Sequence, residues 1–161
     1  VRPGIALYGY HPGSEITNRL DLQMSLKLKT FLETVKSVGE GNFIGYGCSY
    51  KAERDMLIGV AGIGYGDGYD RGLSNKGVMT ISDIQIPVIG KVTMNQTILD
   101  LTDLPSQGVT PYPGMEVTVI DNSRDSDNNI ERIAVALGTV PHEIAARLGR
   151  SIKRVGVRRQ R

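Results

Sequence analysis

The chain has 161 residues, enough for one domain with its own core. Its 19 Lys and Arg residues against 17 Asp and Glu residues leave a net charge of only +2, which is too small to indicate a nucleic-acid or membrane partner. A single cysteine, Cys48, excludes a disulfide framework and indicates a reducing compartment. No apolar run reaches the roughly 20 residues of a membrane span. The chain opens at Val1 in an apolar run, so we expect it to begin inside a longer protein.

Short apolar segments separated by glycine, asparagine and aspartate predict a mainly β fold. The first strand is predicted where Met24, Leu26 and Leu28 alternate with polar residues, and the pattern resumes near Phe31 and Val35. Further strands are predicted in chain order at Phe43–Gly47, Leu57–Ile63, Val78–Ile81, Ile84–Val92, Thr97–Leu101 and Val117–Ile120. This spacing is typical of a β-barrel or a β-sandwich.

Two short α-helices are predicted near the carboxy terminus. The first begins after Asn129 and ends before Gly138, because apolar residues recur at helical spacing between them. The second is expected at Thr139–Leu148, with the threonine as a candidate cap. A closing strand is predicted at Val155–Val157, followed by a basic tail at residues 158–161.

Four glycine-containing segments hold the candidate functional residues: RPGIALYG at 2–9, GYGCSY at 45–50, GIGYGDGYDR at 62–71 and GKVTMNQ at 90–96. The first suits an anion, because glycine lets the backbone approach a phosphate closely, although a buried turn is the plainer interpretation. Glycines beside a tyrosine leave the phenol accessible, although a tyrosine in a strand more often serves packing. Asp67 and Asp70 have no histidine or further carboxylate at ligand spacing, so we predict a solvated turn and no metal site.

Taken in order, the segments VRPGIALYG, IGYG, GIGYGDGYDR and GKVTMNQ resemble the carboxy-terminal part of the alanine racemase family, and the resemblance covers nearly the whole chain. It implies an amino-terminal eight-stranded α/β barrel that binds pyridoxal 5′-phosphate (PLP), followed by a mostly β domain. Residues 1–10 are then expected to end the barrel and residues 11–22 to form a linker. Residues 23–157 are expected to form the carboxy-terminal β-domain.

The resemblance implies a cofactor-binding role for the first segment. Arg2 resembles the arginine that donates to the pyridine nitrogen of PLP. A guanidinium keeps its proton, so the ring nitrogen stays unprotonated and the cofactor is a weaker electron sink, which favours fast proton return. The backbone N–H groups of Gly4 and Ile5 resemble those that hold the phosphate, and Arg150 stands where some members place a phosphate-binding tyrosine. The lysine that forms the Schiff base is expected in the barrel, outside this chain.

Tyr46 resembles the catalytic tyrosine, one of two bases on opposite faces of the substrate α-carbon. The other base is the lysine in the barrel. In the family the tyrosine serves the cofactor of the partner subunit, which implies a homodimer with the active site at its interface.

The resemblance assigns further residues to the substrate. The backbone N–H of Met94 resembles the donor to the substrate carboxylate, Asn95 next to it is a further substrate-binding candidate, and Tyr65 resembles a tyrosine at the entry gate. Arg71 and Lys91 match polar positions that line the entry corridor. The chain departs from the family pattern at Asn95, where many members carry aspartate, and at Lys91, where arginine is frequent.

These features favour an amino-acid racemase with alanine as its substrate, a cytoplasmic enzyme supplying D-alanine for bacterial peptidoglycan. The separate domain is expected to be inactive. A serine racemase or one of broad specificity is the alternative among enzymes, and this includes a membrane-anchored serine racemase whose membrane part would lie upstream. A small basic β-barrel that binds RNA or a protein is the alternative from another class, but two Phe and no Trp give it few aromatic residues for stacking on bases.

Overall fold

Eight strands and two helices form the described part of the chain, residues 1–12 and 20–157 of a computed structural model. Six strands close an antiparallel barrel in the order β1, β4, β7, β6, β5, β8, and the other two form a separate two-stranded sheet. The strands are β1 (Leu28–Val38), β2 (Phe43–Ile44), β3 (Tyr50–Lys51), β4 (Met56–Ala61), β5 (Val78–Ile81), β6 (Ile84–Ile89), β7 (Thr97–Asp100) and β8 (Glu116–Ile120). The prediction of a mainly β fold with two helices is confirmed, and of the two predicted architectures, barrel and sandwich, the structure has the barrel.

Strand β1 closes the barrel because its two halves pair with different neighbours. Its first residues pair with β8, beginning at Leu28 opposite Ile120, and its later residues pair with β4. The predicted strand at Met24 was wrong in its start, since β8 ends at Ile120 and the residues before Leu28 have no strand partner in the described chain. The predicted alternation of burial is nevertheless present, with Met24 and Leu28 buried and Ser25 and Lys27 exposed.

Four other predicted strands, those of β2, β4, β6 and β7, end earlier than expected, and glycine explains two of the endings. Gly45 at φ 77° ends β2, and Gly90 at φ 70° follows the end of β6. Such left-handed backbone does not continue a strand. Val155–Val157 is not a strand but exposed chain, because β8 already closes the barrel against β1. The predicted tail at 158–161 lies outside the described residues, as do residues 13–19 of the predicted linker.

The helices α1 (Ile130–Leu137) and α2 (Pro141–Arg147) cover one side of the barrel core, to which they contribute Ile130, Ile133, Ala134 and Ile144. The Asn129 side chain caps α1 by accepting from the Arg132 N–H, and Gly138 ends the helix at φ 67°. Thr139 is not the cap of α2: Val140 occupies that position, and the Thr139 hydroxyl donates to the Glu143 carboxylate. Neither helix of the described chain has the length and apolar character needed to cross a membrane.

The first ten residues pack onto the β-domain. Residues Gly4–Tyr8 form a 3₁₀ turn, and the side chains of Ile5 and Tyr10 belong to the main core. Gly9 at φ 85° lies so close to the neighbouring chain that a Cβ would stand 2.0 Å from the Gln23 carbonyl oxygen. Burial raises the pKa of Tyr10 to about 12. This segment is therefore held by the same core as the barrel.

Candidate functional site

One open cavity of about 440 Å³ lies where three loops of the β-domain converge. Six residues singled out in the sequence line it together: Tyr46, Tyr65, Arg71, Lys91, Met94 and Asn95. They come from three segments that are separated by up to 49 positions in the chain. The remaining lining residues are Val92, Thr93 and Gln96.

The Tyr46 side chain stands on a short turn between β2 and β3 and is 74% exposed. Its two flanking glycines adopt left-handed backbone, Gly45 at φ 77° and Gly47 at φ 67°. A Cβ on Gly45 would stand 3.4 Å from the Lys91 backbone nitrogen, and a Cβ on Gly47 would stand 3.2 Å from the Lys91 Nζ. Glycine is needed here for the backbone angles, and it also brings the tyrosine turn close to Lys91.

Two backbone hydrogen bonds join the loop of Tyr65 to the turn of Met94. The Tyr65 N–H donates to the Thr93 carbonyl at 2.9 Å, and the Gly66 N–H donates to the Met94 carbonyl at 2.8 Å. Gly64 makes this approach possible, because a Cβ there would stand 2.1 Å from the Thr93 oxygen. The glycines of this motif therefore serve close backbone packing.

The Met94 N–H is available to a ligand. None of the described residues accepts a hydrogen bond from it, although the turn around it is closed tightly. The Thr93 N–H donates to the Gln96 carbonyl at 3.0 Å, and the Gln96 side chain donates to the Glu33 carboxylate at 2.7 Å. The turn thus holds a cavity-lining residue whose backbone N–H has no acceptor in the described part of the chain.

The cavity carries positive charge. Arg71 and Lys91 line it, and no carboxylate is among its lining residues in the described chain. Neither cation forms an ion pair with a described acidic residue. Two unpaired cations and a free backbone N–H suit an anionic ligand such as a carboxylate.

Two nearby carboxylates have structural partners. Asp67 accepts from the Gly64 N–H at 3.1 Å, and Asp70 accepts from the Gly72 N–H at 2.7 Å and pairs with Arg147. They stabilise the turns that carry Tyr65 and Arg71. The described residues include no cluster of three or more side chains that is suited to a metal ion.

The cofactor candidates of the first segment do not line this cavity. Arg2 and Gly4 are exposed, and Ile5 has its side chain buried in the main core. The N–H groups of Gly4 and Ile5 donate to no described residue, as is usual at the start of a helical turn. Arg150 is also exposed and outside the cavity lining.

Sequence reasoning missed Thr93 and Gln96 as lining residues, although both lie inside the GKVTMNQ segment. Their position beside Met94 is the signal that was available. It also missed Ser74 and Asn75, whose side chains join the walls of the cavity and whose only signal is a turn-like composition.

Comparisons with known proteins agree on one family. The family model described as alanine racemase, C-terminal domain, matches residues 25–156. Alanine racemase 1 of Clostridium acetobutylicum is 37% identical over 159 residues, which are 98% of this chain and 40% of that protein. The alanine racemase of Rickettsia bellii is 36% identical over 156 residues, 96% of this chain and 36% of that protein.

Solved structures show the same likeness. A crystal structure of alanine racemase from Bartonella henselae with covalently bound pyridoxal phosphate matches with a TM-score of 0.82 at 30% identity, over 94% of this chain and 40% of that one. Alanine racemase of Clostridium difficile 630 in complex with cycloserine matches with a TM-score of 0.82 at 29% identity, over 92% of this chain and 38% of that one. The chain thus spans about 40% of the length of the first of these curated relatives.

Proposed function

This chain belongs to the alanine racemase family as its carboxy-terminal domain, and from that premise we propose that it supplies one wall of an active site that interconverts L- and D-alanine. The observation that carries the proposal is the cavity, which is lined by an exposed tyrosine, by two cations without a described ion pair and by a residue whose backbone N–H has no described acceptor. The charged groups suit the carboxylate of an amino acid. The phenol suits proton transfer at the carbon next to it.

The cofactor of the full-length protein is proposed to be PLP, and the residues present fit it. Gly4 has left-handed backbone at φ 55° with open space where a Cβ would stand, and its N–H and that of Ile5 are free to donate to a phosphate. Arg2 is exposed and free of any ion pair with the described acids, so its guanidinium is available to a ring nitrogen. When bound, PLP withdraws electrons from the α-carbon of the amino acid and makes its proton removable.

Tyr46 is proposed as the base on one face of the α-carbon, removing a proton from one enantiomer and returning it to the same face in the reverse direction. A lysine elsewhere in the full-length protein serves the opposite face. The Met94 N–H holds the substrate carboxylate. Arg71 and Lys91 attract the carboxylate and guide it inward. Fixing the carboxylate keeps the α-carbon within reach of the phenol.

The full-length protein is proposed to be a cytoplasmic homodimer that supplies D-alanine for peptidoglycan. Residues 1–10 are proposed to complete the PLP-binding barrel, and residues 23–157 form the β-domain. A shared site is supported by the finding that Arg2, Gly4 and Ile5 are not among the residues that line the cavity. It is the arrangement expected if Tyr46 serves the cofactor that a partner subunit holds.

The test is amino-acid profiling of the purified full-length protein with PLP present. We expect a yellow protein that racemises alanine faster than serine or any other amino acid. Faster turnover of serine than of alanine would identify serine as the substrate. No racemisation of any amino acid, together with a shift of an oligonucleotide at moderate salt, would overturn the proposal in favour of a binding module.

A further inference from the structure

Asn75 joins two of the three walls of the cavity through one side chain. Its Nδ2 donates to the Ser49 carbonyl at 3.0 Å, at the end of the turn that carries Tyr46. Its Oδ1 accepts from the Gly90 N–H at 2.5 Å, directly before Lys91. The Asn75 backbone N–H also donates to the Gly90 carbonyl at 3.2 Å. One residue therefore links the tyrosine turn to the strand end that leads into the Met94 turn.

The preceding residue, Ser74, hydrogen-bonds to the third wall, which is the loop that carries Arg71. The Ser74 hydroxyl donates to the Arg71 carbonyl at 2.5 Å and accepts from the Val92 N–H at 3.0 Å. Adjacent side chains at Ser74 and Asn75 thus bond to all three segments that line the cavity.

The Tyr46 turn has few other hydrogen bonds. The strands on either side of it, β2 and β3, have two residues each. In the part of the chain that the structure describes, no other hydrogen bond reaches residues 45–49 from outside this two-stranded sheet. The turn packs against Gly90, where a Cβ would stand 3.3 Å from the Ile44 carbonyl oxygen. Packing limits how close the turn comes, and within the described chain the Asn75 bond is the one hydrogen bond that joins residues 45–49 to the opposite wall.

Asparagine suits this position for two reasons. The backbone of Asn75 is left-handed at φ 57°, a conformation that asparagine and aspartate tolerate better than most residues. Its amide also offers a donor and an acceptor on one rigid group, which the two different backbone partners require.

We propose that Asn75 is a positioning residue for racemisation, which orients the Tyr46 turn relative to the Met94 turn. This inference rests on the proposed function, in which Tyr46 is the base. If the proposal holds, loss of the Asn75 donor moves the phenol away from the α-carbon and impairs the face of the substrate that Tyr46 serves.

The test uses Asn75→Asp in the full-length enzyme with PLP. Aspartate keeps the shape, the backbone angles and the acceptor for Gly90, but it places an oxygen against the Ser49 carbonyl. We expect kcat/KM to fall about tenfold, since misplacing a reacting group by a fraction of an ångström has effects of this order. Exchange of α-deuterium from L-alanine, the enantiomer that the family pattern assigns to the tyrosine, should fall more than exchange from D-alanine. The loss should shrink to within about twofold when Tyr46→Phe is already present, since the two changes act on one group.

The matched control is Asn129→Asp. It removes the hydrogen bonds that Asn129 Nδ2 donates to the Ser123 and Arg124 carbonyls and keeps the acceptor for the Arg132 N–H. Asn129 is 1% exposed, so the control should lower the melting temperature at least as much as Asn75→Asp does. It should change exchange from both enantiomers equally. If Asn75→Asp does not fold, Asn75→Gly removes both side-chain hydrogen bonds of Asn75, to Ser49 and to Gly90, and glycine still accepts the backbone angles, so the same loss on the face that Tyr46 serves is expected.

Amide hydrogen exchange gives a readout independent of activity. Peptides covering residues 43–50 should exchange faster in Asn75→Asp than in the wild type, with the barrel strands unchanged. Wild-type exchange in that peptide, or an activity loss that is fully additive with Tyr46→Phe, would overturn the proposal. If the wild-type enzyme does not racemise, the proposed function fails, while the exchange result still decides whether Asn75 holds the turn.

Discussion

The phenol of Tyr10 should make the stability of this domain fall at alkaline pH. The side chain is fully buried in the main core, and burial raises its pKa from the ordinary 10.0 to about 12. Because the folded pKa lies above the unfolded one, the stabilisation is complete below pH 10 and is lost as the pH rises through 12. Two pKa units at about 1.36 kcal/mol each correspond to about 2.7 kcal/mol, of which roughly half is lost by pH 11.

The assay is urea unfolding of the 161-residue chain from pH 9 to pH 11, followed by far-ultraviolet circular dichroism. Tyr10→Phe is the comparison, because it removes the titrating hydroxyl and keeps the ring. Burial also raises the pKa of Tyr69, but that residue is present in both proteins and cancels in their difference. The wild type should lose about 1.4 kcal/mol more than Tyr10→Phe between these pH values. If the free energy of unfolding falls equally with pH in both proteins, Tyr10 is not buried and residues 1–10 are not docked on the β-barrel.

Three further outcomes are expected. Gly64→Ala should lower the free energy of unfolding by about 2 kcal/mol or more, because its Cβ would stand 2.1 Å from the Thr93 oxygen. Gly156→Ala, which has open space around it, should match the wild type in the same urea titration. The 161-residue chain should fold on its own yet fail to racemise alanine with added PLP; measurable turnover would contradict the placement of the second base outside this chain. Arg2→Glu in the full-length enzyme should slow racemisation and change the visible absorption spectrum of the bound cofactor, because a carboxyl group allows the ring nitrogen to be protonated. An unchanged rate and spectrum would show that Arg2 does not contact that nitrogen.

Most strands of the barrel were predictable because they follow simple rules of burial, whereas the choice between a barrel and a sandwich was not. Val78–Ile81 was predicted with the bounds that β5 has, since apolar residues there end at turn residues on both sides. The ends of β2 and β6 were overestimated because the pattern of apolar residues continues past Gly45 and Gly90. A glycine in a strand pattern does not by itself show whether the backbone turns left-handed there.

The helices illustrate the same limit at their caps. Gly138 was predicted to end α1 and does so, because a glycine after a run of helical spacing has few other uses. The start of α2 was misplaced by one residue, since the proline at its first position makes Val140 the cap, and Thr139 instead bonds to Glu143.

The candidate site was predictable only as a list of residues. Family resemblance named Tyr46, Tyr65 and Met94, but the sequence does not show that their loops meet around one cavity. The bonds of Asn75 to Ser49 and Gly90 span 26 and 15 positions in the chain, and no local pattern signals them. Such contacts depend on the register of the closed barrel, which follows from packing rather than from composition.

The most direct test of the proposed mechanism is Tyr46→Phe in the full-length enzyme, measured as exchange of α-deuterium from each enantiomer of alanine. The change removes the phenol oxygen and keeps the ring, so dimerisation and PLP content should stay intact. A positioned acid–base group contributes on the order of 10²–10⁴-fold, so racemisation should fall by about that factor. Exchange from L-alanine, the enantiomer that the family pattern assigns to the tyrosine, should fall far more than exchange from D-alanine. Turnover of both enantiomers within about twofold of the wild type would show that the base lies elsewhere and that Tyr46 only packs at the site.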